Sequence, residues 1–230
     1  MSSHSASARS TPSFISPALP ADFAARHLKG SPLKLGILAS GNGTNFEAVQ
    51  EAIAANKLNA KIQVLIYNNP GAKVAARAEK WGIPAILHNH RDYKRREDLD
   101  TEIVKTLRQY DVEWVVMAGW MRILTQVVFD AFPEKIINIH PSLLPSFPGA
   151  HGVEDALKAG VKITGCTVHI ARLEVDSGPI LMQAAVPVLP DDTPETLHER
   201  IQVQEHQILP QAIALAAALS AGWSPLAEQQ

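Results

Sequence analysis

Cysteine is almost missing from this chain. The single one, Cys166, excludes an intramolecular disulfide and any cysteine-rich metal site. A reducing, intracellular setting is the simplest reading of that scarcity. An excess of either charge is missing too: 21 Lys+Arg against 23 Asp+Glu leave a net charge of -2. That balance argues against a nucleic-acid grip spread over the whole surface. No apolar run approaches the ~20 residues that a membrane helix needs, and the alanine-rich stretch from Ala212 to Ala221 is too short. What the chain does have is ordinary core material. Of 230 residues 46% are hydrophobic, enough for one sizeable domain plus a tail.

The first residues differ from the rest. Residues 1–32 hold eight serines, four prolines and one acid, Asp22. This Ser-rich, acid-poor character is shared with organellar transit peptides, but the two arginines, Arg9 and Arg26, are few for one. So little apolar surface does not offset chain entropy. The expected organisation is a disordered N-terminal extension over 1–33, one domain over 34–222 and a tail over 223–230, in a cytoplasmic protein.

From Lys34 onward, short β-branched runs alternate with longer helical patterns. Segments 34–40, 61–67, 84–88, 112–119 and 135–140 are near-continuous apolar runs, as expected for strands buried on both faces of a parallel sheet. Helical patterns fall at about 44–56, 72–81, 95–110 and 125–131. The alternation predicts an α/β fold with a mostly parallel, doubly wound (Rossmann-like) sheet and helices on both faces. After residue 160 the rhythm changes. Segments 164–171 and 179–188, joined around Asp176-Ser177-Gly178-Pro179, predict an antiparallel hairpin near the C-terminal part. A last helix should start at Thr193-Pro194-Glu195, with Thr193 as N-cap and proline at the first helical position. Pro210 should kink or split it.

Ligands of such sheets bind at the carboxyl ends of the strands, and three segments at those ends carry polar chemistry. Ser40-Gly41-Asn42-Gly43-Thr44-Asn45 follows the first strand and opens the first helix. Two glycines permit a tight turn, and the helix N-terminus offers free N–H groups to a phosphate. A dinucleotide fingerprint fails here, because Phe46 stands at the third glycine and the second strand ends in Asn68-Asn69 rather than an acid. A tight turn that binds nothing remains the plain alternative. In Asn138-Ile139-His140-Pro141, residues i and i+2 project to one side. An amide and an imidazole so placed suit a developing oxyanion and a proton to be moved, although a hydrogen-bonded strand terminus has the same look. Asp176 on its Gly-Pro turn could lie against His140 and favour the charged ring, or simply accept its own turn's N–H groups. The pattern does not place one beside the other.

In order, SGNGTN, AGWMRIL (118–124), NIHPSLLPSFPG (138–149), GCTVHIARLEVDSGPIL (165–181) and QEH (204–206) closely resemble the phosphoribosylglycinamide formyltransferase family, from about Lys34 to Leu219. NIHPSLLP with a downstream D-x-G-P-I marks the formyltetrahydrofolate-using transferases, and the N-terminal GNG[ST]N narrows the likeness to the glycinamide enzymes. The resemblance implies that Asn138, His140 and Asp176 are the catalytic trio. It implies that Gly41, Asn42, Gly43, Thr44 and Asn45 hold the ribonucleotide phosphate, and that Glu205 holds the ribose hydroxyls. Arg96, Met121, Arg122, Ile123 and Leu124, with Asn138, match folate-binding positions. Thr44 replaces the commoner serine and keeps the hydroxyl. The formyl donor so implied is 10-formyltetrahydrofolate. No metal is required, since the formyl group is already activated. The partners are small molecules, with neither nucleic acid nor membrane, and the working unit is a monomer or homodimer. A formyltetrahydrofolate hydrolase or another formyl-folate transferase is the alternative. The hydrolase would need an added N-terminal regulatory domain, and the tRNA-acting transferase a C-terminal domain and a basic surface. A non-catalytic folate- or phosphate-binding module is a more distant reading.

Overall fold

The computed structural model describes residues 14–224. Five strands run parallel at its centre: β2 (Leu33–Ala39), β3 (Ala60–Tyr67), β4 (Ala85–Leu87), β5 (Trp114–Met117) and β6 (Ile136–His140). Three antiparallel members extend one side, β7 (Ile163–Ile170), β8 (Ile180–Pro187) and β1 (Phe14–Ser16). The sheet order is β1-β8-β7-β6-β5-β2-β3-β4. From β2 the chain steps outward through β3 to β4, then returns to lay β5 and β6 on the other side. The carboxyl ends of β2, β5 and β6 therefore border the switch point where such sheets bind ligands.

Strand residues alternate between two cores, as the pleat requires. Leu35, Ile37 and Ala39 join a core shared with α2 (Thr44–Ala54), α3 (Val74–Lys80) and α7 (Pro194–Ser220). Leu38, Val64 and Ile66 face the opposite core, built with α4 (Arg96–Gln109) and α5 (Gln126–Ala131). The expected fold class and hairpin are thus observed. Among the described residues no helix is long and apolar enough to cross a membrane.

Four expectations change. First, residues 14–33 are not a detached extension. Phe14, Ile15 and Ser16 pair with Ala185, Ala184 and Gln183 of β8. In α1 (Phe23–His27), Phe23 is buried and meets the ring of Trp223 edge-on at 5.1 Å. Trp223, assigned to the tail, is therefore part of the packed structure. Few apolar residues suffice here because a finished sheet edge and a helix face receive them. Residues 1–13 and 225–230 lie outside the described residues, and so does the first part of the segment read as a possible transit peptide. Second, of the kink or split expected at Pro210, the split is absent: α7 continues through it. Ile208, Leu209, Ala212 and Ile213 are buried on both sides of the proline, so tertiary packing outweighs one missing hydrogen bond. Third, β5 stops at Met117 and the chain turns away at Gly119, whose φ is 80°. Fourth, a short helix, α6 (Gly152–Ala159), follows the proline-rich loop and ends on the left-handed Gly160. Its glycine start and eight-residue length hid it in the sequence.

Candidate active site

Beyond Ala39, the Ser40–Gly43 turn swings into α2 with Gly43 as the N-cap at φ 76°. Left-handed backbone favours glycine, and a Cβ on Gly43 would also run into the side chain of Val74. The carbonyls of this turn are each engaged. Ser40 O accepts from Asn69 Nδ2 at 2.8 Å, Gly41 O from the Val74 N–H at 3.1 Å, and Asn42 O from Arg77 Nε at 2.8 Å. With its acceptors occupied, the turn presents the donors of the first helical turn. Arg77 was not apparent in the sequence. It also pairs with Glu47, so a cation is fixed beneath the cradle.

Asn45 and Glu205 meet directly. Asn45 Nδ2 donates to Glu205 Oε2 at 2.8 Å, and both residues are buried. The amide of Asn45 is thus committed to Glu205. Burial pushes the Glu205 carboxyl above the ordinary range, opposed first by the Asn45 hydrogen bond.

The three residues expected at the reacting centre come together. Asn138 and His140 lie two apart on β6, and Asp176, at φ 49°, reaches them from the β7–β8 connection. His140 Nδ1 stands 3.4 Å from Asp176 Oδ2, with both side chains nearly shut from solvent. His140 Nε2 donates to Phe147 O at 2.8 Å. A Cβ on Gly152 would stand 3.1 Å from both His140 Nε2 and Phe147 O, so a glycine there leaves this hydrogen bond room. Both ring nitrogens of His140 thus face oxygen. Asp176 Oδ2 also accepts the Gly149 N–H at 2.6 Å, and Oδ1 accepts from Asn138 Nδ2 at 3.3 Å.

His169 belongs to the same cluster and went unassigned in the sequence. It sits opposite Asn138 in the β6–β7 pairing, with its Nε2 3.1 Å from Asn138 Nδ2. Its Nδ1 meets Ser177 O at 3.0 Å and Ile170 O at 3.1 Å, so the proton resides on Nδ1 and Nε2 accepts from the amide. Burial pushes its imidazole below the ordinary range, which keeps the ring neutral. Cross-strand register was the available signal, since residues of β7 spaced by two share the face of Asn138 and His140.

At the neighbouring strand end, Ser40 Oγ accepts the Met121 N–H at 2.9 Å, and Asp100 Oδ2 accepts the Thr125 N–H at 2.6 Å. The segment between is therefore pinned at both ends. Met121 and Ile123 leave apolar side chains exposed, at 65% and 53%. Leu124 is buried in the second core, and any ligand contact from it is made by backbone. Arg96 stands exposed at the first position of α4. Among the described residues no group of three or more His, Cys, Asp or Glu is placed to hold a metal ion.

Residues 33–213 match the model of a family described as formyl transferase. A phosphoribosylglycinamide formyltransferase from Bacillus subtilis is 40% identical over 180 residues, covering 78% of this chain and 92% of that protein. A trifunctional purine biosynthetic protein adenosine-3 from Gallus gallus is 41% identical over 195 residues, but the chain spans 19% of its length. The crystal structure of glycinamide ribonucleotide transformylase 1 from Symbiobacterium toebii superposes with a TM-score of 0.80 at 41% identity. It covers 82% of this chain and 89% of that one.

Proposed function

The chain belongs to the formyl transferase family, and from that premise we propose that it transfers the formyl group of 10-formyltetrahydrofolate to the amine of 5-phosphoribosylglycinamide, in purine biosynthesis. The observation that carries this reading is the convergence at one end of the sheet of an anion cradle and the Asn138, His140 and Asp176 cluster. Phosphate sits on the N–H groups of Gly43 to Asn45, with Glu205 accepting from the ribose hydroxyls. The folate lies along Met121 to Ile123, with Arg96 and Arg122 near its acidic end.

The amine nitrogen attacks the formyl carbon, a C–N bond forms, and the formyl oxygen becomes an oxyanion. Asn138 donates to it by turning one N–H away from Asp176, the longer of its two contacts, while His169 keeps the other. His140 hands a proton to the folate nitrogen as the oxyanion collapses to a carbonyl and the old C–N bond breaks, and the ring then takes up the proton that the attacking amine sheds. Asp176 keeps the His140 ring oriented. The test is folate turnover with and without the ribonucleotide. Turnover is expected only with both, and equal turnover without the amine would assign the chain as a hydrolase.

Two further results are expected. Gly43→Ala meets both a left-handed backbone and Val74, so the cradle must shift. The KM for the ribonucleotide should rise about tenfold or more while that for the folate holds, because backbone N–H groups carry the anion. Steady-state kinetics against each substrate decides it, and equal loss on both would undo the division of labour.

Glu205→Gln tests the buried acid. An acid whose folded pKa is raised binds its proton more tightly folded than unfolded. Its contribution to stability is therefore complete below the ordinary carboxyl value of ~4.3 and is lost as pH rises through the folded value. Glutamine does not ionise, so the variant should gain in Tm over the parent at neutral pH, with the gain shrinking towards pH ~4. The ribonucleotide KM should rise at the same time, since a neutral amide is a weaker acceptor than a carboxylate. A Tm difference that does not change with pH would contradict the buried ionised carboxyl.

A further inference from the structure

A row of side chains crosses the sheet beside the reacting pair. His140 of β6 is opposite Thr167 of β7, and Thr167 is opposite Gln183 of β8. Residues on one rung share a face of the sheet, and over this face lies the loop from Pro141 to Gly149. Gln183 Nε2 donates to Leu144 O at 2.9 Å and to Thr167 Oγ1 at 3.0 Å. The Thr167 hydroxyl in turn donates to Ser142 O at 2.7 Å and accepts the Leu144 N–H at 3.0 Å. Both hydrogens of the Gln183 amide are used, as are the one donor and two acceptor positions of the hydroxyl. The N–H and C=O of Leu144 are both held by this pair, and Thr167 is fully buried.

The same loop makes the two backbone contacts that orient the reacting groups. A few residues beyond the clamp, Phe147 O meets His140 Nε2 at 2.8 Å, and the Gly149 N–H meets Asp176 Oδ2 at 2.6 Å. Ser142 Oγ, donating to Ser146 O at 2.6 Å, stiffens the span between. The loop is thus fastened at one end by Gln183 and Thr167, and its other end sets the carbonyl and N–H against which His140 and Asp176 are aligned.

We propose that Gln183, acting through Thr167, is a positioning residue for formyl transfer: it fixes the Ser142–Gly149 loop that aligns His140 and Asp176. The inference rests on the proposed function. Gln183 need touch neither substrate. It lies outside the phosphate cradle and the Asn45–Glu205 pair, so its removal should act on turnover and spare ribonucleotide binding.

Gln183→Met keeps the length and removes both donors. Its kcat should fall about 10- to 100-fold, the scale of a misalignment of an ångström or so, with the ribonucleotide KM within about twofold. Thr167→Val, equal in volume, should lose a similar factor, whereas Thr167→Ser, which keeps the hydroxyl, should return to within about threefold of the parent. The Gln183→Met/Thr167→Val double variant should be little worse than either single one, because one network is broken once. Thermal melts identify a variant that has lost its fold. If Gln183→Met does not fold, the Thr167→Val and Thr167→Ser comparison decides alone. The proposal is overturned if Gln183→Met retains kcat within threefold, if kcat and ribonucleotide KM move together, or if serine at 167 rescues nothing. A parent enzyme that fails to use the ribonucleotide overturns the functional assignment instead, which separates the two failures.

Discussion

Asn138→Ala is expected to lower kcat by about 10²–10³, the usual cost of removing one oxyanion donor, while the KM values move little. The structure adds a second consequence. The Asn138 amide is the hydrogen-bond donor to both His169 Nε2 and Asp176 Oδ1. With His169 buried, the alanine variant leaves an acceptor without a partner, at a cost of roughly 1–3 kcal/mol of stability. The variant should therefore be slow and slightly less stable, yet folded. Steady-state kinetics with a thermal melt checks this. A kcat within a few-fold of the parent would remove Asn138 from the oxyanion site.

Most of the framework was legible because burial on two faces leaves a plain mark. The runs at 34–40, 61–67 and 135–140 became β2, β3 and β6 nearly to the residue, since a strand covered on both sides tolerates little polarity. The turn into α2 was legible too, because two glycines between a strand and a helix permit a left-handed N-cap. What failed had its cause elsewhere in the chain. Phe14 to Ser16 carry no strand pattern of their own and are strand only because β8 offers an edge. Pro210 does not split α7, because its neighbours on both sides are packed in the core. His169 and Gln183 are ordinary strand residues by pattern, and only register places them beside Asn138 and Thr167. Arg77 lies on a helix that local sequence connects to nothing, and reaches Asn42 through the turn of the chain. Asp176 could be read as a catalytic acid or as a turn residue. The structure gives it a hydrogen bond to Gly149 and a place beside His140, both of which depend on how the Pro141–Gly149 loop folds back.

Asp176→Asn should be the most damaging conservative change in the chain. The side chain is a hub: Oδ2 accepts the Gly149 N–H at 2.6 Å and faces His140 Nδ1 at 3.4 Å, while Oδ1 accepts from Asn138 at 3.3 Å. Asparagine matches aspartate in size and tolerates the left-handed backbone at this position, so backbone and packing are preserved. Its chemistry does not match. An amide has one oxygen where the carboxylate has two. If that oxygen serves Gly149, the NH₂ is turned against the NH₂ of Asn138, donor against donor. If it serves Asn138, the NH₂ is turned against the Gly149 N–H and the ring of His140. Either way the loop or the oxyanion donor is displaced, and His140 loses the negative charge beside it. The expected loss in kcat is about 10²–10⁴, the range for a group on which general acid–base transfer depends. The ribonucleotide KM should change by no more than a few-fold, because the cradle and Glu205 are built from other elements. Asp176→Ala provides the comparison. It removes the clashing donors but leaves Gly149 unpaired and puts a left-handed backbone on a residue that resists it, so it should lose more in Tm than the asparagine variant does. An Asp176→Asn enzyme that turns over within threefold of the parent would show that the carboxylate only shapes its turn.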